Sequence, residues 1–378
     1  MNVLHVCGMY VPATEWGGTT TAVAAYAEAL ARAGVRVEVF TTTARGNASL
    51  PPIEPGTRDV NGVRVTYFPA AAKRQSFIAP AMVPALARRL RDFDVVHTHM
   101  LWAFPGIAVA RLADLRRVPY VVTPHGSLDP WALSQRRWMK RLFLLASEYR
   151  TLRHAARVHY TAEAERTSVP RELQRLPSAV IPNIVDATRF TAGDPGASDD
   201  ILMLGRIHEM KGFDAMIHAL PAVVAARPRA RLVIAGPDEA GYRAVVERMI
   251  DAHGVRAKVH FTGHVDAATR AQLFASSAVL AQPSYRENFG MAVAEAMAAG
   301  LPVVVSDRVN ICDEITAGDA GITVPREPVA LARALIDVLA DPARRRRMGA
   351  NGRRLVEQRY APAAVAAELI AMYQAIRR

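Results

Sequence analysis

The chain has 378 residues, of which 51% are hydrophobic and 22% are charged, a composition typical of globular proteins. This length predicts two domains of ordinary size. No apolar run approaches the roughly 18–20 residues that span a bilayer. The N-terminal apolar segment is too short for a signal peptide and lacks a basic flank. We therefore expect a cytoplasmic protein in which Cys7 and Cys312 are free, buried thiols.

The net charge of +12 is spread unevenly along the chain. Residues 1–190 carry 24 Lys and Arg against 14 Asp and Glu, whereas residues 191–378 carry 23 against 21. A basic first half indicates an anionic surface or an anionic ligand as its partner. A non-enzymatic nucleic-acid-binding module would also be basic. However, the excess is not concentrated in one stripe and no recognised binding motif is present, so we expect no nucleic-acid partner.

The first half of the chain alternates strands and helices. Strands are predicted over residues 2–7, 35–41, 63–68, 94–98 and 119–123, helices over 19–33, 81–91 and 104–117, and a loop over 44–62. This alternation predicts a doubly wound parallel sheet that binds its ligands at the carboxyl ends of the strands. Gly17 and Gly18 lie between the first strand and the first helix, where glycines let the backbone approach a ligand closely. A bare turn explains them equally well.

Histidines follow two of these predicted strands. His97 and His99 are interpreted as structural, because an isolated histidine more often packs in a core than takes part in catalysis. His125 ends a buried strand within Thr-Pro-His-Gly and is the stronger candidate for a site. Asp92 and Asp94 superficially resemble a metal-binding pair. They precede a strand and thus lie at the wrong edge of the sheet, so we expect no metal there.

A basic amphipathic helix is predicted from residue 129 to about residue 157. It interleaves tryptophans and leucines with arginines and lysines. Such a helix fits a peripheral contact with an anionic membrane through residues 131–157. A core-packing helix with a solvated basic face fits the same pattern, and the two interpretations stay open.

The second half repeats the alternation after a boundary. Residues 182–186 (PNIVD) and the Gly-, Pro- and Asp-rich residues 192–200 predict a linker, giving domains 1–182 and 200–360, a linker 183–199 and a final helix 361–378. Strands are predicted over 201–204, 231–235, 259–262, 279–281 and 301–305, and helices over 213–226, 241–253, 268–276, 288–300 and 343–359. The arginine run 344–347 is interpreted as a solvated helix face.

Two loops of the second half carry charged residues. Arg206 and Lys211 follow its first strand, where an anion would bind, although surface loops with two cations are common. Glu287 and Glu295 lie eight residues apart, before and within a predicted helix. The N-terminus of that helix suits a phosphate, and the two carboxylates could accept hydrogen bonds from sugar hydroxyls. As a pair alone, they fit an ordinary helix equally well.

The motifs around these residues make a specific combination. Glu-x-Phe-Gly, Glu-Ala-Met-Ala-x-Gly and Pro-Val-Val, within residues 287–304, resemble the signature of the family 4 retaining glycosyltransferases. Thr-Pro-His-Gly, the Gly-Arg…Lys-Gly loop and PNIVD, with Ile184 in place of the usual glycine, resemble further family segments, so that the resemblance spans essentially the whole chain. It implies the GT-B fold: two Rossmann-like doubly wound parallel-sheet domains facing across a cleft, with a C-terminal helix crossing back to the first domain.

The resemblance also implies roles for individual residues. Donor binding is expected at Gly17, Gly18, Arg206, Lys211, Val265, Glu287, Asn288, Phe289, Gly290 and Glu295, and catalysis at His125, Arg206, Lys211 and Glu287. The expected co-substrate is a UDP- or GDP-sugar, with no metal and no other cofactor. The expected acceptor is a glycan or a polyprenyl-linked sugar in exopolysaccharide or lipopolysaccharide assembly at the inner face of the membrane.

Other readings of the same architecture remain. A sugar-nucleotide epimerase shares it but needs grouped catalytic acids and bases, which the sequence does not show. A phosphorylase shares it too, but is usually much longer and binds pyridoxal phosphate through a lysine. Retention could follow a front-face mechanism or a covalent double displacement. We favour the front-face mechanism because no nucleophile is recognisable.

Overall fold

The computed structural model describes residues 1–46, 50–71, 77–134 and 147–377. The chain forms two compact units, Met1–Ile184 with Pro362–Arg378, and Val185–Ala361. Most of the residues 183–199, predicted as a linker, therefore belong to the second unit, where Ala187–Arg189 form a 3-10 turn.

The first unit is built on an eight-stranded sheet in the order β3-β4-β2-β1-β5-β6-β7-β8. Its strands are β1 (Asn2–Val6), β2 (Arg36–Thr42), β3 (Gly56–Val60), β4 (Val63–Phe68), β5 (Val95–His99), β6 (Tyr120–Thr123), β7 (Arg157–Tyr160) and β8 (Ser178–Val180). All neighbours are parallel except β3 and β4. Helices cover both faces: α1 (Gly18–Arg32), α2 (Met82–Arg89), α3 (Phe104–Arg116), α4 (Pro130–Ser134), α5 (Tyr149–His154), α6 (Glu163–Ser168) and α7 (Arg171–Gln174).

The second unit is built on a six-stranded, wholly parallel sheet in the order β11-β10-β9-β12-β13-β14. Its strands are β9 (Asp200–Leu204), β10 (Arg231–Ala235), β11 (Val259–Gly263), β12 (Val279–Gln282), β13 (Val303–Ser306) and β14 (Gly321–Val324). Its helices are α8 (Phe213–Ala226), α9 (Tyr242–Ala252), α10 (Ala267–Ser276), α11 (Met291–Ala298), α12 (Cys312–Ala317), α13 (Pro328–Ala340) and α14 (Pro342–Leu355), which continues into a π-helical turn, Val356–Tyr360.

The last helix, α15 (Pro362–Ile376), returns to the first unit. It packs beside α1, and its apolar residues Val365, Leu369 and Tyr373 are fully buried in the core on that face of the sheet. Because a helix in water is held mainly by its buried apolar stripe, these residues fix α15 on the first sheet rather than the second.

Both sheets reverse their strand order at one point. In the first sheet β1 lies between β2 and β5, and in the second β9 lies between β10 and β12. The loops after the two strands that flank such a switch point diverge and leave a crevice at the carboxyl edge. Ligand-binding residues are therefore expected after β1 and β5 in the first unit, and after β9 and β12 in the second.

Several predicted elements differ from the structure. The loop predicted over residues 44–62 contains β3, whose residues are mostly exposed and whose pairing is antiparallel, so it shows no apolar alternation. The elements α12, β14 and α13 were not predicted. The long basic helix is described only as α4 and α5, since residues 135–146 lie outside the described residues, and its predicted end is wrong because Arg157 begins β7.

The arginine run 344–347 is not simply a solvated face. Arg345 is 1% exposed and donates to the carbonyl oxygens of Pro195, Val338 and Leu339, among others. Arg346 pairs with Asp194. The run therefore fastens the start of the second unit to α14. Both cysteines are free; Cys7 is buried as expected, whereas Cys312 is only half-buried.

Candidate active site

The loops after β9 and β12 lie against each other at the switch point of the second sheet. Gly212 has a φ of +74°, and a Cβ there would lie 1.9 Å from the carbonyl oxygen of Pro283. The amide of Tyr285 donates to the carbonyl of Met210 at 2.9 Å. This close approach of two backbones requires a glycine. We call residues 205–212 and 282–290 the charged loops, because they carry the charged residues predicted for the site.

Lys211 and Glu287 meet where the charged loops touch. Lys211 Nζ lies 2.6 Å from Glu287 Oε1, and their side chains are 21% and 17% exposed. Ser284 Oγ donates to the same carboxylate oxygen at 3.0 Å, as does Gln282 Nε2 at 3.3 Å. A carboxylate held by a cation and two neutral donors is fixed in position. It can accept hydroxyl protons while the ammonium offers its other hydrogens to an anion.

The backbone holds this arrangement in place. The amide of Glu287 donates to the carbonyl of Arg308 at 3.0 Å, and its carbonyl accepts from the amide of Asn310 at 3.1 Å. The aliphatic part of Lys211 covers Gly205, where a Cβ would lie 3.1 Å from Lys211 Cε. Lys211 therefore depends on Gly205 for its path across the end of β9.

The residues that lead into α11 are mostly enclosed. Phe289 is 2% exposed, and its ring meets that of Tyr360 edge-on with 5.1 Å between centroids. Gly290 has a φ of +84° and precedes α11 without a side-chain cap, so the first amides of the helix stay available. Asn288 lies half-buried between Glu287 and Phe289. The anion-binding character expected of a helix N-terminus is thus kept for a ligand.

Glu295 lies on α11 but is not joined to the Lys211–Glu287 pair. Its carboxylate lies 3.1 Å from Nη1 of Arg270 on α10, and its side chain is 15% exposed. Burial raises the pKa of Glu295, and the positive charges of Arg270 and Arg189 oppose that rise. Val265, in the loop before α10, is half-buried. A second carboxyl group therefore lies between α10 and α11, beside Arg270.

Arg206 likewise has a partner of its own. It pairs with Glu239 in the loop after β10, and the two side chains are 51% and 36% exposed. The exposure leaves the guanidinium free to exchange this partner for a ligand anion at little cost, because exposed ion pairs contribute little net energy. The structure thus brings Lys211 and Glu287 into contact, whereas Arg206 and Glu295 each pair with a residue that was not predicted.

In the first unit, the predicted glycines begin α1. Gly17 is its N-cap, with a φ of +93°. A Cβ built there would have nothing within 4 Å, so the conformation rather than crowding demands glycine. Gly18 is the first residue of the helix. The N-terminus of α1 thus lies after β1, at the switch point of the first sheet.

His125 follows β6 in a left-handed conformation, with a φ of +50°. The next residue, Gly126, donates its amide to Glu165 Oε1 at 2.6 Å. The other oxygen of Glu165 accepts from the amide and the hydroxyl of Thr161, at 2.7 and 2.9 Å. Glu165 is 1% exposed. This buried carboxylate holds the loop that carries His125, and no motif in the sequence pointed to it.

His125, which is half-buried, also meets a group of four buried imidazoles. We call the five residues the histidine cluster: His5, His97, His99, His125 and His159. His99 Nδ1 lies 3.2 Å from His125 Nε2, and His5 Nδ1 lies 2.8 Å from His99 Nε2. Burial lowers the pKa of His5 and of His125 to about 3, and that of His159 to about 4. It lowers the pKa of His97 and His99 as well. All five rings are neutral at physiological pH.

Three rings of the histidine cluster place donor nitrogens within 4.8 Å of one another: His5, His97 and His99. They are the one group of potential metal ligands found in the described part of the chain. Both nitrogens of His97 already have partners, Tyr373 Oη and Thr123 Oγ1, each at 2.6 Å. A metal here would have to break these hydrogen bonds.

Comparison with known proteins identifies the family. Residues 185–355 match the family described as glycosyl transferases group 1, and residues 17–183 match the glycosyl transferase 4-like domain. A D-inositol 3-phosphate glycosyltransferase of Kineococcus radiotolerans is 31% identical, with 93% of this chain and 89% of that protein covered. The chain belongs to the group 1 glycosyl transferases. The predicted family is confirmed.

Other relatives of this transferase agree. A phosphatidyl-myo-inositol mannosyltransferase of Mycobacterium leprae is 28% identical, with 95% of this chain and 93% of that protein covered. Sucrose-phosphate synthase of Thermosynechococcus elongatus superimposes with a TM-score of 0.77 at 23% identity, covering 100% and 99% of the two chains. Anabaena HepE in complex with UDP and glucose gives 0.75 at 19%, covering all of both chains. The predicted GT-B fold is confirmed.

Among the described helices, none has both the length and the apolar composition to cross a membrane.

The predicted site residues of this transferase fall within the matched regions. Arg206, Lys211, Glu287 and Glu295 lie in the group 1 match, and His125 lies in the 4-like match. Their individual roles stay predictions. Two of their partners, Glu239 and Arg270, were missed, and so was Glu165, which holds the residue after His125. Each comes from a separate element, and no motif or spacing links it to the residue it contacts.

Proposed function

We propose that the chain transfers a sugar, with retention of configuration, from a nucleotide-sugar donor and without a metal ion. The observation that supports this most is the contact between Lys211 and Glu287 at the switch point of the second sheet. A nucleotide sugar presents a diphosphate beside a polyhydroxylated ring. A fixed ammonium next to a fixed carboxylate matches those two groups side by side.

The departing diphosphate needs positive charge where its negative charge develops. Lys211 and Arg206 supply two cations on one loop, and the amides that begin α11 supply partial positive charge after Gly290. Both cations have carboxylate partners that a ligand can replace or share. We therefore assign them to leaving-group stabilisation, with Glu287 holding hydroxyls of the donor sugar. A front-face reaction, in which the departing phosphate helps to deprotonate the acceptor, then gives retention.

Glu295 is proposed to hold the ribose hydroxyls of the nucleotide. Its pairing with Arg270 opposes the rise in pKa that burial causes and holds the carboxylate in place. Two hydroxyls can donate to it while Arg270 remains beside it, because a carboxylate has about four acceptor positions. His125, neutral because it is buried, is proposed to hydrogen-bond the transferred sugar.

The donor is proposed to be a UDP- or GDP-sugar, and the acceptor a glycan or a lipid-linked sugar in surface polysaccharide assembly. The crystallised Anabaena relative holds UDP and glucose, which supports a uridine nucleotide. The names of two relatives, a D-inositol 3-phosphate glycosyltransferase and a phosphatidyl-myo-inositol mannosyltransferase, support the proposal of an acceptor with negative charge. The basic first half of the chain, with 24 Lys and Arg against 14 Asp and Glu, supports an anionic acceptor or an anionic membrane surface.

A thermal-shift titration tests the donor site. UDP, GDP and ADP would each be added with magnesium and with EDTA, to the wild type and to Glu295→Ala. We expect one nucleotide to stabilise the wild type by about 2.7 kcal/mol at a hundredfold excess over its dissociation constant. The stabilisation should be equal with magnesium and with EDTA, and it should be lost in Glu295→Ala.

Glu247→Ala is the matched control. Glu247 is a carboxylate of the same unit that pairs with Arg243 on α9, at 2.9 Å, away from the charged loops. It should keep the full response. Stabilisation that requires magnesium would contradict metal-independent binding. An unchanged response in Glu295→Ala would remove Glu295 from the site, and no response to any nucleotide would contradict the proposed donor.

A further inference from the structure

The histidine cluster contains two hydrogen-bonded chains with different properties. One runs from Tyr373 Oη through His97, Thr123 and His159 to the carbonyl oxygen of Ile181, with distances of 2.6, 2.6, 2.8 and 2.7 Å. The other runs from His5 through His99 to His125, with distances of 2.8 and 3.2 Å. The first ends on groups that fix its direction, and the second does not.

The direction of the first chain follows from its last acceptor. A carbonyl oxygen can only accept, so His159 Nε2 carries a proton and its Nδ1 must accept from the Thr123 hydroxyl. Thr123 Oγ1 then accepts from His97 Nε2–H, and His97 Nδ1 accepts from the hydroxyl of Tyr373. Every member of this chain is satisfied, and both of its histidines are Nε2–H tautomers.

The second chain allows two states in which all three histidines share one tautomer. If His5 donates from Nδ1 to His99, then His99 donates from Nδ1 to His125, and His125 carries its proton on Nδ1. If His125 donates from Nε2, the order reverses and all three protons lie on Nε2. A mixed arrangement would place two protons, or two lone pairs, between nitrogens about 3 Å apart, which costs the hydrogen bond and adds repulsion.

The end of the chain at His5 decides between the two states. His5 is 0% exposed, and its Nε2 is buried without a hydrogen-bond partner among the described residues. In one state this nitrogen is an unpaired acceptor, and in the other it is an unpaired N–H donor. Buried unpaired N–H groups are the rarer of the two in native proteins. The state with all protons on Nδ1 is therefore favoured.

We propose that His5 and His99 are positioning residues that lock His125 in its Nδ1–H tautomer, so that this ring offers a hydrogen-bond donor at its half-buried edge. Nδ1 of His125 makes no hydrogen bond to any residue in the described ranges, and it is not among the buried atoms that lack a partner, so it is not sealed from solvent as His5 Nε2 is. A donor there suits a hydroxyl or ring oxygen of a ligand and disfavours a ligand group that can only donate. Use of this donor by a sugar rests on the proposed function, whereas the tautomer itself does not.

Neutral rings are a condition of the lock, and the surroundings meet it. Burial lowers the pKa of His5, His99 and His125, and the neighbouring imidazoles lower it further. The rings of His5 and His99 lie nearly parallel, with 5.1 Å between centroids, and those of His99 and His125 lie 5.4 Å apart at an angle of 29°. Protonating one ring would place its charge against the others, so the chain keeps one proton per ring.

Nitrogen–proton correlation spectra of the imidazole rings test the proposal directly on the whole, ligand-free protein with labelled histidine. We expect His5, His99 and His125 to show a protonated Nδ1 and an unprotonated Nε2. His97 and His159 should show the reverse pattern and serve as internal controls. Three Nε2–H tautomers, or unlike tautomers within the chain, would overturn the proposal. So would a transition metal bound to these rings in the purified protein, because a metal-bound nitrogen carries no proton.

The variant His99→Gln separates the lock from simple packing. The glutamine amide can donate or accept, so His125 would no longer be coupled to His5 and its two nitrogens should move toward averaged shifts. His97 and His159 should keep their tautomers. An unchanged Nδ1–H form of His125 in this variant would show that His99 does not set it. If the variant does not fold, the wild-type spectrum alone decides. Absence of sugar transfer would contradict the proposed function without affecting this measurement.

Discussion

The charged loops of the second unit and the histidine cluster of the first both lie at the carboxyl ends of parallel strands, yet they treat charge in opposite ways. The charged loops keep ions: Lys211 with Glu287, and Arg206 with Glu239. The histidine cluster keeps five titratable rings neutral through burial and mutual contact. Ions suit a ligand whose charge grows during reaction, whereas neutral rings suit hydroxyl groups that need an oriented hydrogen bond.

The difference arises from exposure. The side chains of the two ion pairs, Lys211 with Glu287 and Arg206 with Glu239, are between 17% and 51% exposed, so water shares in solvating them until a ligand replaces it. His5 and His97 are 0% exposed, and a charge there would have no such compensation. The same edge of the same kind of sheet can therefore host either chemistry. The exposure of the side chains to solvent determines whether ions or neutral rings occupy the site.

The largest expected effect is a loss of sugar transfer when either cation of the charged loops, Lys211 or Arg206, is removed. Lys211→Ala should lower the rate of sugar transfer by about 10²–10³-fold, the effect of removing one group that stabilises developing negative charge. Arg206→Ala should act in the same direction, through kcat rather than KM. Steady-state kinetics with the donor identified by thermal shift would measure both.

Arg256→Ala is the control for these arginine and lysine variants. Arg256 is also an exposed arginine paired with an acid, Asp251, but it precedes β11 and thus lies at the amino end of the sheet. Its loss should leave transfer within twofold of the wild type. Near-normal transfer in Lys211→Ala would show that the ions of the charged loops serve the fold and not the leaving group.

A smaller effect tests whether the carboxyl end of the first sheet keeps its acids neutral as well. Burial raises the pKa of Glu148 to about 7, although the amide of Trp102 and the charge of Arg111 oppose the shift. Between pH 4.5 and 7, the unfolded chain ionises this carboxyl while the folded chain retains the proton, so that stability falls as the pH rises. Between pH 4.5 and 7, the free energy of unfolding of Glu148→Gln should therefore rise relative to that of the wild type, by up to about 3 kcal/mol.

Urea unfolding at pH 4.5, 6 and 8 would measure the gain. Below pH 4.5 Glu148 is protonated in both the folded and the unfolded chain, so the wild type and Glu148→Gln should differ little in stability there. Above pH 7 the difference should stop growing. Glu172→Gln, at an exposed position of α7, is the control and should stay within about 0.5 kcal/mol of the wild type. A wild type whose stability relative to Glu148→Gln does not change with pH would mean that Glu148 is ionised when buried.

The sequence predicted the charged loops better than the histidine cluster, for a physical reason. Lys211 and Glu287 lie in local motifs at the ends of buried strands, so motif and strand together placed them at one edge. His97 and His99 were interpreted as structural, and His5 was not considered at all. Their contact with His125 depends on three strands that are neighbours only in the folded sheet.

Partners across elements were equally out of reach. Arg270 meets Glu295 because α10 packs near α11, and Glu239 meets Arg206 because the loop after β10 turns toward β9. No motif or characteristic sequence separation predicts either contact. Strand β3 was missed because its residues are mostly exposed and polar, although it pairs along its whole length with β4. Hydrophobic periodicity reports burial, so a strand with exposed side chains that is held mainly by backbone pairing is not detected by it.

The smallest expected effect tests whether the hydrogen-bonded chain from Tyr373 through His97, Thr123 and His159 stabilises the first unit. Thr123→Val keeps the shape of the side chain but removes the hydroxyl that joins His97 to His159. It leaves one buried N–H and one buried acceptor without partners, and should cost about 2–3 kcal/mol in the free energy of unfolding.

Thr98→Val is the matched control, since the hydroxyl of Thr98 on β5 is buried with no partner in the described part of the chain. Removing it should cost under about 0.5 kcal/mol or stabilise slightly. Equal losses in the two variants, measured by urea unfolding at neutral pH, would mean that the chain contributes packing alone. A larger loss in Thr123→Val would show that oriented hydrogen bonds hold the first sheet where ions serve the second.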